Sequence, residues 1–221
     1  MSIPSGLLPD EYGYLFDILL VLVVAFVAYY TPWYRFSHSQ YRHVFFGSVI
    51  GMMVLWNVDA GTLPALNFHF LGAMLITLMF RWQYAIWAMM LVILSQLFTG
   101  KIDLSVFAMN SLLFAVVPVY VGNAIYKFVD RRLPNHFFIY VYGAGFFGAA
   151  IVVLTVIMMT ALLLLLFGVY EWSRLVHDFL RYSPLMMFIE AFITGMLTTL
   201  LVVFRPQWVS TFDDDRYLKD K

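Results

Sequence analysis

Long apolar stretches alternate with short polar ones along this chain, and nearly all of the charge falls in the polar ones. That alternation predicts a series of membrane-spanning helices, each needing about 20 apolar residues. The first covers residues 14–30, with Asp17 near its start. It ends in Tyr29, Tyr30, Trp33 and Tyr34, an aromatic belt of the kind found at membrane–water interfaces. A polar, basic loop from Arg35 to Arg42 leads to a second helix, 43–57, close to the minimum span. Asp59, Gly61 and Pro64 then turn the chain. The third segment, 67–80, carries His69 and is also short. It is either tilted into a thin region or preceded by a re-entrant, non-helical piece, tolerated only where protein buries it or where it lines a cavity.

A fourth helix is predicted at 82–98 and a fifth at 104–126, where Pro118 should produce a kink. Lys127, Arg131, Arg132 and His136 read as a basic loop. The sixth helix, 137–167, exceeds one straight span and carries Gly143, Gly145 and Gly148 as a small-residue packing face. Residues 170–182 mix apolar positions at helical spacing with charge, the pattern of an amphipathic surface helix. The seventh helix, 184–204, contains Glu190. The predicted fold is therefore an all-α polytopic bundle of about seven transmembrane helices in a single domain, 1–205. A charged, frayed cytoplasmic tail, 206–221, follows.

Composition agrees with this pattern: 63% of residues are hydrophobic, 12% are charged, and the mean hydropathy is +0.85. Soluble domains carry about twice that share of charge. The formal net charge of zero gives no basic field for nucleic acid. The absence of cysteine removes disulfides, thiolate metal sites and cysteine nucleophiles. The N-terminus has no basic region ahead of an apolar one, so it reads as part of the mature protein rather than a signal peptide.

The distribution of Lys and Arg sets the orientation. With the N-terminus outside, the inner face carries Arg35, Arg42, Arg81, Lys127, Arg131, Arg132, Arg205, Arg216, Lys219 and Lys221. The outer face carries only Lys101, Arg174 and Arg181. The reading is N-out, C-in, in a multi-pass protein of a bacterial inner membrane.

That topology brings Asn57, Asn67, His69, Gln96, Asn110 and Glu190 toward the outer side. Each alone reads as an interhelical hydrogen-bonding group, worth about 0.6 kcal/mol. Together they read as the floor of a cavity open to the outside. His69 offers an imidazole to a metal, although a lone histidine also serves as a structural residue, and no HxxxH, HxxE or paired-carboxylate spacing accompanies it. The methionines come as adjacent pairs such as Met52-Met53 and Met89-Met90, which point in different directions on a helix and form no thioether ladder. There is no Walker lysine loop, no GxSxG and no dinucleotide fingerprint, so the chain reads as a non-enzyme that hydrolyses no ATP by itself.

Several stretches in order resemble the cobalt/nickel-capture membrane subunits of energy-coupling-factor transporters, the CbiM/NikM type. Those proteins open Met-His-Ile-Pro-x-Gly, and this chain opens Met1-Ser2-Ile3-Pro4-Ser5-Gly6. Asn57, Gly61-Thr62, then His69 and Gly72 follow the family's order. Gln96 and Ala108-Met109-Asn110 follow it less closely. Ile189-Glu190-Ala191-Phe192-Ile193-Thr194-Gly195, closed by Arg205-Pro206, resembles the last span.

The resemblance implies square-planar coordination of a divalent metal by nitrogens. These come from the N-terminal amine, the backbone and side chain of a second-position histidine, and the histidine of the third helix. Met1 and His69 occupy matching positions, whereas Ser2 stands where the imidazole is expected; Asn67, Gln96 or Glu190 would then complete a harder site. It also implies Ni²⁺, Co²⁺ or another divalent transition metal as substrate, with none held tightly as a cofactor. The implied partners are the bilayer, a transmembrane coupling subunit and cytoplasmic ATPases. The alternative is a non-transporting structural or assembly subunit of a larger membrane complex that keeps this fold, a reading that Ser2 favours.

Overall fold

The computed structural model describes residues 3–7, 12–57 and 65–217. Its long elements are α1 (Gly13–Tyr30), α2 (Ser39–Asn57), α3 (Ala73–Phe98), α4 (Leu104–Arg132), α5 (Phe137–Leu166) and α7 (Ser183–Phe204). Two short helices accompany them, α6 (Trp172–Asp178) and α8 (Asp214–Tyr217). Five stretches, Gly13–Tyr30, Ala73–Phe98, Leu104–Arg132, Phe137–Leu166 and Trp172–Phe204, are long and apolar enough to cross a membrane.

Two further passes follow from how the ends meet. At Arg81 the backbone leaves the helix (φ 62°, ψ 169°) and α3 bends. The Trp56 indole donates to Leu71 O at 3.3 Å, and Lys101 Nζ reaches Trp56 O and Asn57 O at 3.5 and 3.2 Å. Residues 71 and 101 therefore both lie at the C-terminal end of α2. A straight helix would part them by about 45 Å, so the chain doubles back at Arg81. Residues 65–80 make one pass and 82–98 the next. α2, with 19 residues, is long enough for another. The result is seven passes.

Hydrogen bonds assign the ends to two faces. Ser5 bonds Asp103, and Ile3 pairs with Asn110, on the Lys101 face. Ser210 meets Met79 and Arg81, and Arg216 meets Asp130, on the Arg81 face. The N-terminal segment and the segment after α7 are thus on opposite sides, in agreement with the topology read from the charges.

The third pass departs from an ordinary helix in the way its shortness allowed. Residues 66–72 are non-helical, and helix begins only at Ala73. All eight residues 73–80 are buried. A helix that is apolar on every face belongs in a core, and this one is the centre of the bundle. α2 faces it with Phe45, Val49, Met52 and Trp56, a stripe at spacings of four, three and four. α5 packs along α7 where Gly145 meets Thr198 and Gly195 meets Phe146; a Cβ at either glycine would lie 3.3–3.4 Å from those side chains. α1 buries only Leu20 and Val27 and leaves the rest of its apolar surface outward, as a lipid-facing helix does.

Three local readings are corrected. Lys127, Arg131 and Arg132 lie on the last turns of α4 rather than in a loop, where cations complement the helix C-terminus. The disturbance expected at Pro118 takes the form of a π-helical stretch, Leu112–Val116, immediately before it. That stretch contains Phe114, whose carbonyl a proline four residues later would crowd. The stretch after α7, expected to fray, packs instead: Val209, Thr211, Phe212 and Tyr217 are buried. Ser210 N donates to Met79 O (2.9 Å), and the Thr211 hydroxyl donates to Leu78 O (2.7 Å), so this segment caps the C-terminal carbonyls of helix 73–80.

Candidate functional site

Helix 73–80 is fixed at its other end by a carboxylate. Glu190, buried one-third of the way along α7, accepts hydrogen bonds from Leu71 N (2.8 Å, Oε2) and Gly72 N (2.6 Å, Oε1). A negative charge at a helix N-terminus is favoured by the helix dipole and by the unpaired N–H groups there. Gly72 is required by geometry: it sits in the left-handed region at φ 66°, and a Cβ would fall 2.4 Å from Met52 Cε. Glu190 and Gly72 together set the direction in which the non-helical segment 66–72 leaves the helix.

His69 lies on that segment, three residues before Gly72. It is buried at 7% exposure, its Nδ1 is 3.1 Å from Phe70 O, and its ring lies 4.3 Å from the Trp56 ring. Phe68 beside it stacks on Phe179 at 5.0 Å, so the stretch that follows α6 covers the segment. The amphipathic reading of that stretch holds: Leu175 and Phe179 are buried, while Arg174 and Asp178 pair outward.

Asn110 does a different job. Its Oδ1 accepts from Ile3 N at 2.8 Å, and its Nδ2 donates to Ile3 O at 2.9 Å and to Val106 O at 2.8 Å. One buried amide thus holds both the N–H and the C=O of Ile3, as a neighbouring β-strand would. Ile3 is itself fully buried. Met1 and Ser2, which precede it, lie outside the described residues, as does the Gly61-Thr62 turn.

Gln96 is buried at the same face near the end of α3. Its carbonyl accepts from Lys101 N and Ile102 N, and its Nε2 has no hydrogen-bond partner. Asn67 is half-buried on the His69 segment. Asn57 is exposed, and its side chain donates back to Met53 O on its own helix. The outer polar set thus divides by task. Glu190 and Asn110 hold backbone, Asn57 closes a helix, and His69 and Gln96 are buried near the same face.

Among the described residues no three His, Asp or Glu side chains gather closely enough to hold a metal. An ion at His69 would need donors of another kind. The part of the site that sequence reading missed is Trp56, whose indole packs on His69 and whose N–H fixes Leu71. The signal was its place beside Asn57 at the end of a span.

The chain resembles known proteins in two comparisons. The model of the CbiM family, described as the cobalt uptake substrate-specific transmembrane region, matches residues 2–208. Two solved structures share the fold. A truncated transition metal transporter is 18% identical with a TM-score of 0.78, covering 92% of this chain and 99% of that one. A transition metal transporter is 19% identical with a TM-score of 0.75, covering 91% and 92%. Among curated proteins none matches. With 207 consecutive positions matched, from the N-terminal segment through the end of α7, this chain belongs to the CbiM family of transmembrane metal-uptake proteins.

Proposed function

We propose that this protein is the substrate-capture subunit of an energy-coupling-factor ABC transporter. It takes a divalent transition-metal ion such as Ni²⁺ or Co²⁺ from the Lys101 face, which the charge distribution makes the outer one. The observation that carries the reading is the setting of His69. A buried imidazole stands on an irregular backbone segment at membrane depth, and irregular backbone is tolerated there only inside protein or along a cavity. The segment's direction is fixed by Glu190 from another helix.

In this reading His69 supplies one nitrogen. The N-terminal segment, fastened at Ile3 by Asn110, brings Met1 to the ion; two residues reach about 7 Å. Ser2 contributes backbone and no imidazole. Gln96 and Asn67, through their side-chain carbonyl oxygens, are the donors nearest in character to what is missing. Asn57, Asn110 and Glu190 act on the site through the backbone they hold. A neutral imidazole with amine and amide nitrogens suits Ni(II), Cu(II) and low-spin Co(II). Energy for release comes from partner ATPases acting through a coupling subunit, since the chain has no Walker loop.

Calorimetry on the purified protein with Ni²⁺, Co²⁺, Cu²⁺ and Zn²⁺ tests this. At least one ion should bind wild type more than about tenfold tighter than His69→Ala. Equal affinity for both proteins removes His69 from the site. No binding of any ion to wild type leaves the structural-subunit reading, which Ser2 favours.

A further inference from the structure

Trp56 meets the His69 segment at two points. Its ring lies 4.3 Å from the imidazole at an angle of 46°, and its Nε1–H donates to Leu71 O at 3.3 Å. Leu71 is thereby held on both sides by side chains from other helices, its C=O by Trp56 on α2 and its N–H by Glu190 on α7. Trp56 is itself anchored. It is the last member of the buried α2 stripe, and Lys101 Nζ reaches its carbonyl at 3.5 Å. An indole is planar and turns about two side-chain torsions only, so its two contacts fix the imidazole and the backbone two residues later relative to each other.

The imidazole has a defined tautomer. Its Nδ1 is 3.1 Å from Phe70 O, and a carbonyl only accepts, so the contact assigns the proton to Nδ1. In the neutral ring the lone pair is then on Nε2. Metal-binding histidines commonly donate their other ring N–H to a carbonyl, which fixes the tautomer and the ring orientation. Here that bond joins neighbouring residues, so it holds the ring only as firmly as residues 69 and 70 are held. The contact from α2 ties the ring to the rest of the bundle.

We propose that Trp56 is the positioning residue of the metal site, holding the His69 ring so that Nε2 is the nitrogen offered to the ion. The role presupposes that His69 binds the ion, as in the capture function above. Groups that orient a metal-binding histidine contribute about 10–100-fold in affinity.

The test uses the full chain in neutral detergent, labelled with ¹⁵N-histidine, at about pH 8, where an ordinary imidazole is neutral. Nitrogen NMR of the metal-free protein reads the tautomer of His69, assigned by the signal that His69→Ala removes. Calorimetry with Ni²⁺, Co²⁺, Cu²⁺ and Zn²⁺ reads affinity. Wild type should show one form of His69, protonated on Nδ1. Trp56→Leu should mix the two tautomers and weaken binding about 10–100-fold. Trp56→Phe keeps an aromatic face and should restore the single tautomer and most of the affinity. Phe45→Leu removes a buried ring from the other end of the same helix. It reports on packing alone and should match wild type in both readings. Three results overturn the proposal: a wild-type His69 protonated on Nε2, equal weakening by Phe45→Leu and Trp56→Leu, or equal affinity in wild type and Trp56→Leu. In that last case the capture reading survives if His69→Ala still abolishes binding. No ion bound by wild type overturns both.

Discussion

A carboxylate at membrane depth is destabilising unless its oxygens are satisfied, and both oxygens of Glu190 accept from backbone N–H groups. These are bonds to a charged or strongly polar acceptor in a dry environment, worth about 1.5–3 kcal/mol each. Glu190→Ala leaves two buried donors without partners and should cost about 3 kcal/mol or more, measured by denaturant unfolding in micelles. Glu190→Gln retains one acceptor oxygen and should lose about half as much. Metal affinity should fall with the same ranking, because Leu71 and Gly72 fix the chain two residues after His69. Equal affinity in all three proteins would mean that the clamp serves stability alone. At this scale the sequence revealed that Glu190 and His69 are special, but not how they are related. They are 121 positions apart, and Glu190 acts on His69 through backbone that carries no side-chain signature.

Among the elements, α3 was legible at its bend, since the spans read as 67–80 and 82–98 part at Arg81, and illegible at its start, which lies at Ala73. Its residues 73–98 are continuous in hydropathy apart from Arg81, and Arg81 adopts a backbone conformation that glycine prefers. The side chain compensates in part through Nε donating to Ser210 O at 3.2 Å. Replacing Arg81 by Gly and by Ala separates the two effects. Both lose the Ser210 bond, and only Ala keeps the backbone strain, so Arg81→Gly should exceed Arg81→Ala in stability by about 1–3 kcal/mol. Equal melting curves would place no strain at the bend. The N-terminal segment is an element too, although it has no regular structure. The Ile3 amide donates to Asn110 Oδ1, so Asn110→Ala should raise its hydrogen-exchange rate at least tenfold. Unchanged exchange would show that the segment is held elsewhere. A lone asparagine inside a helix gives no hint in the sequence that it pairs with backbone 107 residues away.

For the whole molecule, the buried helix 73–80 is held at both ends, by Glu190 at the Lys101 face and by Ser210 and Thr211 at the Arg81 face. It runs directly from the candidate metal site to the packed segment after α7. Seven passes put Thr99 and Glu171 on one side of the membrane and Arg132 and Gln207 on the other. The chain contains no cysteine, so single cysteines at these positions give a clean labelling experiment. In intact cells an impermeant maleimide should modify Thr99→Cys and Glu171→Cys, and should reach Arg132→Cys and Gln207→Cys only after permeabilisation. The reverse pattern would invert the direction of capture. Labelling of residues 99 and 132 from the same side would remove α4 from the set of passes.

The sequence by itself determined the membrane class, the order of the apolar spans, the orientation of the charges and the family resemblance. Those properties are local: runs of apolar residues, clusters of Lys and Arg, and short motifs in order each carry their meaning without a partner. Tertiary structure decided that residues 66–72 are non-helical while 73–80 are helical and buried on every face. It decided that the segment after Arg205 is a cap rather than a frayed tail, and that Asn110 and Glu190 grip backbone. Each of those depends on which distant group supplies a hydrogen bond or removes a surface from lipid, and hydropathy cannot encode that because a residue's partner does not appear in its own neighbourhood.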